Sequence, residues 1–388
     1  MRCLMVAKRI SNVPESGTVR IANLVARLTQ EGRQIFSFSM GEPDFVTPES
    51  IRKATQEALD EGFTHYTPSA GIPRLRELIA EKSLEQNGIP CQASDVLVTP
   101  SKHAIFMSML AVVDEGDEVI LPDPAWGTFD ATARLAGGRP RYAVLREEDE
   151  FRMTPDVVAE LITPKTSLIV INSPSNPTGS VMEREDLKGI ADLAKDHDFT
   201  VLSDEVYEHI IYEGKHHSIA SLEGMFERTI TINGFSKTYA MTGWRLGWLV
   251  APPPLFKAMS KLQSHSVTCA VSFVQKGGVE ALTGPQGSVD EMVGEFKERR
   301  DMVMELLEEI PSLHCPVPKG AFYIFPSYDL EMNSEEFCAY LLEKANVGVT
   351  PGVAFGPNSE GRFRLSYAAS RGTLEKGMAS MKKALARL

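Results

Sequence analysis

The sequence predicts an α/β protein: a large domain with a mostly parallel sheet between helices, followed by a smaller α+β domain. Three observations carry this reading. Between Val96 and Val250, short apolar runs alternate with stretches of helical spacing, the rhythm of parallel strands that return through helices. After about Gly287 that rhythm gives way to a long charged helix and a few scattered strands. The 388 residues leave room for two to three structural domains and an ample core.

Each element has its own signal. Thr18–Glu31 puts Val19, Leu24, Val25 and Leu28 largely on one side of a helix that stops at Gly32. Ile35–Met40 reads as a short strand ending at Gly41-Glu42-Pro43-Asp44-Phe45. Thr47 stands where a cap belongs, with Pro48 in the first turn of a helix that closes at Gly62. Tyr66–Gly71 is a rigid loop before a helix ending at Gly88. The alternating block begins with Val96–Val98, a helix from Ser101, Val119–Leu121, a helix near Phe129–Leu135, Tyr142–Leu145 and a helix over Thr154–Ile162. It continues with Leu168–Ile171, a helix over Glu183–Asp196, and strands at Phe199–Leu202, Thr229–Ile232 and Gly247–Val250. A helix over Val289–Ile310 opens the last part. Strands near Ala321–Phe325 and Phe363–Tyr367 and helices over Ser334–Lys344 and Leu374–Leu388 complete it. The expected divisions are an N-terminal segment, 1–48, packing with the small domain; a large domain, 49–286; and a small domain, 287–388.

Composition excludes several classes. A net charge of −12 with no basic block argues against nucleic acid and anionic membranes as partners. Five scattered cysteines (Cys3, Cys91, Cys269, Cys315 and Cys338) form no CxxC pair, which fits a reducing cytoplasm better than a disulfide framework or zinc ribbon. The N-terminal apolar stretch is too short for a signal peptide, and no segment approaches the ~20 apolar residues that span a bilayer. His209, His216 and His217 with Glu213 read as a surface loop, so no metal is expected.

Sites in parallel sheets lie beyond the carboxyl ends of the strands, and the distinctive polar residues fall there. The β-branched run Thr229–Ile232 leads to Lys237. Burial there would depress the lysine pKa and free its lone pair; an ordinary solvated lysine in a turn is the alternative. Phe199–Leu202 delivers Asp204 either to a cleft, with Tyr207 near the same ligand, or to the cap of the next helix. Ser173–Gly179 holds Asn176 in a rigid loop, for binding or simply as a tight turn. Ser101-Lys102 opens a helix whose free N–H groups and dipole suit a phosphate, as at any such junction. Trp126 either stacks on a flat ring or joins the core. Alternation puts Arg362 and Arg364 on one strand face, as a carboxylate clamp or a structural ion pair.

Together these pieces resemble one family. GFSKTYAMTGWRLG (Gly234–Gly247) is similar to the lysine signature of class I aminotransferases, pyridoxal phosphate (PLP) enzymes of fold type I. GEPDF (Gly41–Phe45), YTPSAG (Tyr66–Gly71), SPSNPTG (Ser173–Gly179), SDEVYE (Ser203–Glu208) and FRLSYA (Phe363–Ala368) match in family order, over nearly the whole chain. Within the family the chain resembles the prokaryotic aspartate aminotransferases.

The resemblance implies a PLP-binding domain with a seven-stranded, mostly parallel sheet. It also implies roles. Lys237 binds PLP covalently and then shuttles a proton; Asp204 keeps the ring nitrogen protonated; Tyr207 and Asn176 bond the ring oxygen; Trp126 stacks on the ring beside the substrate. Main-chain groups at Ser101 and Lys102 hold the phosphate with Arg245. Ser236 supplies a hydroxyl, since this chain has Gly234 where the family carries a serine. Tyr66 reaches into the neighbouring subunit, so a homodimer with shared sites is implied. Arg364 clamps the substrate α-carboxylate with Asn176 and the Gly41 backbone, and Lys102 meets a distal carboxylate. The implied reaction is ping-pong transamination between aspartate and 2-oxoglutarate. Aromatic amino acids, alanine or another dicarboxylic amino acid are alternatives, as are a PLP lyase and a non-catalytic sensor domain on the same fold.

Overall fold

The computed structural model describes residues 7–388 except 12, 14 and 16, so Cys3 and the start of the N-terminal segment lie outside the described residues. The large domain is built on seven strands: β1 (Val96–Val98), β2 (Glu118–Asp123), β3 (Arg139–Val144), β4 (Thr166–Asn172), β5 (Thr200–Asp204), β6 (Thr229–Gly234) and β7 (Gly247–Val250). Their spatial order is β1-β7-β6-β5-β4-β2-β3. Only β7 runs against its neighbours; β6, β5, β4, β2 and β3 are parallel. The mostly parallel, seven-stranded fold expected from the sequence is therefore present.

Continuous apolar strands require cover on both faces. Leu97, Leu168, Val170, Leu202, Ile230 and Ile232 bury on one side against Ala104, Ile105, Met107 and Met109 of the helix Ser101–Val112. Ile120, Ile169, Ile171 and Val201 bury on the other against Leu187, Ile190 and Ala194 of the helix Arg184–His197. Adjacent residues of one strand thus serve opposite cores.

The smaller part is α+β. Tyr323–Ile324, Phe363–Ser366 and Thr350–Pro351 form an antiparallel sheet, with the long helix Gly287–Glu308 and the last helix Arg371–Leu385 beside it. Phe38, from the N-terminal segment, is buried in the same cluster as Phe296, Phe322, Phe337 and Phe363. Burying one such ring stabilises by roughly 1.5–3 kcal/mol. Phe36–Ser37 also pairs in parallel with Val347–Gly348.

Several expectations need correction. The strand read over Ile35–Met40 is only Phe36–Ser37, and the helix read over Thr154–Ile162 is only Pro155–Ala159. Thr47 is not a cap: Pro48 holds that position, and Thr47 Oγ1 instead donates to Ala240 O at 2.6 Å and accepts from Trp244 Nε1 at 3.0 Å. Two helices carried no signal, Pro253–Ser266 and Ser272–Thr283. The first opens on consecutive prolines, which sit at its cap and in its first turn, where no N–H is missed. Gly277 and Gly278 weaken helical propensity in exchange for close packing: a Cβ on Gly278 would lie 2.7 Å from Leu246. Among the described residues no helix is long and apolar enough to cross a membrane.

Candidate active site

The carboxyl ends of β4, β5 and β6 open into a cavity of about 560 Å³. Eleven of the residues marked by the sequence line it together: Gly41, Ser101, Lys102, Trp126, Asn176, Asp204, Tyr207, Ser236, Lys237, Arg245 and Arg364. Tyr66 does not; it is 88% exposed, away from this chain's own cavity.

Asn172 organises the strand ends. It lies in register with Asp204, donates from Nδ2 to Asp204 O at 3.1 Å, and accepts Asn176 N–H on Oδ1 at 2.9 Å. Asn176 Oδ1 in turn accepts Arg364 Nη1–H at 2.9 Å, while Arg364 Nη2 donates to Ser39 O at 2.6 Å. The guanidinium lies 4.5 Å from the Tyr323 ring centroid and 4.9 Å from that of Phe355, and its Nε has no partner. Burial holds its pKa below the ordinary value. Among the described residues no carboxylate pairs with it. A buried guanidinium on neutral acceptors is costly unless an anion joins it.

Lys237 sits in a single helical turn, Phe235–Thr238, that follows β6 directly. Its Nζ donates to Gly41 O at 2.5 Å and lies between the rings of Tyr207 and Phe322, 5.9 and 5.8 Å from their centroids. Burial lowers its pKa to about 8, against the pull of Glu42 and with help from Arg364 and Arg245. A substantial neutral fraction at mild pH makes it a nucleophile and a base.

Asp204, 3% exposed, meets only a long bond, from Val206 N–H at 3.3 Å to Oδ1. Burial first, and then neighbouring Glu205, push its pKa up to about 7. It caps no helix; its carboxylate faces the cavity and lacks a cationic donor in contact. Tyr207 bonds Tyr323, OH to OH, at 2.8 Å, and burial pushes its phenol pKa well up.

The helix start at Ser101 meets the Lys237 turn. Ser101 Oγ donates to Asn233 O at 3.0 Å, and a Cβ on Gly234 or Gly247 would run into this hydroxyl. The glycine at 234 thus has a physical reason: Ser101 occupies the space a side chain there would need. Arg245 adopts the left-handed region at φ 56°, with Nη1 donating to Thr242 O at 2.7 Å. Such backbone strain in a non-glycine residue is concentrated at functional sites. Lys102 Nζ lies 4.6 Å from the Trp126 ring centroid; burial, then Arg245, lower its pKa.

Sequence reasoning missed Ser39, Asn172 and Tyr323. Asn172 had a usable signal, a polar residue ending an apolar strand. Tyr323 had none, lying inside an apolar run. The two strand arginines divide between the alternatives: Arg362 forms a structural ion pair with Glu147 at 2.6 Å and covers Phe151, while Arg364 faces the cavity. One reading is corrected. His216 is not a surface-loop residue: it is largely buried and bonded to Glu205 at 2.9 Å.

A family model described as aminotransferase class I and II matches residues 33–380. An aspartate aminotransferase of Pyrococcus abyssi (strain GE5 / Orsay) is 46% identical over 359 residues, 91% of this chain and 92% of that protein. An aromatic-amino-acid aminotransferase 2 of Thermococcus litoralis is 45% identical over 364 residues, 92% of this chain and 93% of that protein. The solved structure of an aspartate aminotransferase from Thermus thermophilus with maleate is similar at a TM-score of 0.95 and 37% identity, covering 98% of this chain and 100% of that one.

Proposed function

The chain belongs to the class I and II aminotransferases, and from that premise we propose that it moves the amino group of aspartate to 2-oxoglutarate, in a homodimer with shared sites. Its cofactor is PLP. The residues present fit that group: an under-partnered buried carboxylate, a lysine of lowered pKa and an open helix start face one cavity. When bound, PLP supplies an aldehyde that captures amino groups and a ring that takes up the electron pair released at the substrate Cα.

The chain's own residues do the rest. Lys237 Nζ would hold the cofactor, then take the Cα proton of the substrate and deliver it to the carbon on the other side of the transferred nitrogen. Asp204 keeps a proton on the ring nitrogen. Tyr207 and Asn176 orient the ring oxygen, and Trp126 covers the ring face. Ser101, Lys102, Ser236 and Arg245 bind phosphate through N–H, hydroxyl and guanidinium donors. Arg364 receives the α-carboxylate, with Asn176 and the Gly41 backbone beside it, and tyrosine and phenylalanine rings exclude water around it.

The observation that carries the substrate reading is a cavity with cationic groups at separate places: Arg364 without a carboxylate partner, and the Lys102 ammonium. A dicarboxylic amino acid complements that pattern. Lys102→Ala should lower kcat/KM for aspartate by about tenfold or more, with alanine and phenylalanine little changed. An equal loss on all three would contradict the distal-carboxylate role. Aromatic donors are the second reading, favoured by Trp126, Tyr207, Tyr323, Ile105 and Leu246 in the cavity wall. A screen of amino donors against 2-oxoglutarate decides between them, and omitting the acceptor tests for lyase activity.

Tyr66, Val46, Val267 and Val271 are exposed and support a partner surface, with Tyr66 completing the partner's phosphate site. A cytoplasmic setting agrees with the free cysteines Cys91, Cys269, Cys315 and Cys338. The proposed working units are residues 1–48 with 287–388, and 49–286.

A further inference from the structure

The end of β5 carries a second set of buried charges that the reaction does not touch. Strand alternation turns Asp204 into the cavity and Glu205 away from it. Glu205 Oε1 accepts from Ser203 Oγ and Ser218 Oγ, both at 2.8 Å, and Oε2 pairs with His216 Nε2 at 2.9 Å. Three residues on, Glu208 bonds Lys82 and accepts Asn87 Nδ2–H at 2.6 Å. Lys82 and Asn87 lie on the helix Pro73–Asn87. Ligand-type atoms of Glu205, Glu208 and His216 all fall within 4.8 Å of one another. The cluster needs no metal ion, because the Lys82 ammonium already supplies a buried cation there.

Two carboxylates, an ammonium and an imidazole out of water are no bargain for stability; apolar side chains would fill the space as well. What apolar residues cannot supply is a field. Glu205 stands one peptide from Asp204 and raises its proton affinity, and His216 is bonded to Glu205 from the far side. The other groups facing the cluster are Lys82 from its helix, Glu208 and His209 from the turn after β5, His217 next to His216, and Tyr239 towards Glu208. Lys237 faces Asp204 from the cavity side.

We propose that Glu205 and His216 are positioning residues that set the electric field at Asp204 from behind the strand, and through it the protonation of the lysine-linked cofactor in front. This rests on the reading that Lys237 carries PLP. The test is an absorbance titration of the PLP-loaded protein against pH, with melting temperatures measured alongside. Glu205→Gln removes a negative charge and should lower the spectral midpoint by roughly one pH unit. His216→Gln removes the imidazole bonded to the Glu205 carboxylate, leaves that negative charge less offset and should raise the midpoint. A purely structural role would lower both melting temperatures without moving the midpoints in opposite directions. Midpoints that stay put, or move the same way in both variants, overturn the inference while leaving the aminotransferase reading intact. A wild-type protein with no titrating band overturns both. Should Glu205→Gln not fold, the sign of the His216→Gln shift decides alone.

Discussion

The two sides of the β5 terminus hold buried charge in opposite ways. In front, Asp204, Lys237 and Arg364 sit on neutral partners or weak bonds, with no ion pair among them. Behind, Glu205, Glu208, His216 and Lys82 are paired and hydrogen-bonded to one another and to Ser203, Ser218 and Asn87. An unpaired buried charge costs several kcal/mol more than a paired one. The front side keeps that cost because its partners arrive with cofactor and substrate. The contrast teaches where to look for a site: among buried groups whose bonding is incomplete, rather than among buried charges as such.

Substitutions on the two sides should therefore fail differently. The largest effect is expected at Lys237→Ala, which should lower transamination by roughly a thousandfold or more while the protein stays folded. A variant that retains a tenth of the activity would remove Lys237 from the chemistry. Next, Arg364→Gln should reduce kcat/KM for the amino acid by about a hundredfold, because a buried bidentate carboxylate partner is lost. Melting temperature should hold or rise, since an uncompensated charge is also removed; a large fall would make Arg364 a structural residue. On the back side the order reverses. Lys82→Met leaves Glu208 without its ammonium partner, with only Asn87 and His209 beside it, and should destabilise by roughly 3–5 kcal/mol in denaturant titration, with turnover of the surviving fold changed little. Lys82→Met with Glu208→Leu should recover much of that loss. Failure to recover would show that the pair does more than balance charge.

A pH slope is also expected from the front side. Without cofactor, Asp204 titrates at about 7 in the fold against 3.8 in the unfolded chain. Between these values the native state binds more protons, so stability should fall as pH rises through that window. Adding PLP gives the carboxylate its partner and should flatten the slope. Denaturant titrations at several pH values, with wild type and Asp204→Asn, check this; an identical slope in both proteins would assign it elsewhere.

The same distinction explains what the sequence disclosed. Strands β1 to β7 were legible because apolar, β-branched runs must be covered on both faces, and the carboxyl-end rule then located Lys237, Asp204, Asn176 and Ser101. The signal faded where packing overrides propensity. The helix Ser272–Thr283 depends on Gly277 and Gly278 fitting closely against their neighbours, a tertiary fact that no local pattern contains. Tyr323 enters the site through its bond to Tyr207 across 116 positions of sequence, and His216 reaches Glu205 by the folding of a polar loop. Neither arrangement follows from spacing along the chain.

The chemistry turns on one nitrogen atom, Nζ of Lys237. Purified protein incubated with PLP, reduced with borohydride and digested should yield a single cofactor-labelled peptide, with the label on Lys237. A colourless protein, or a label on any other lysine, would contradict the account.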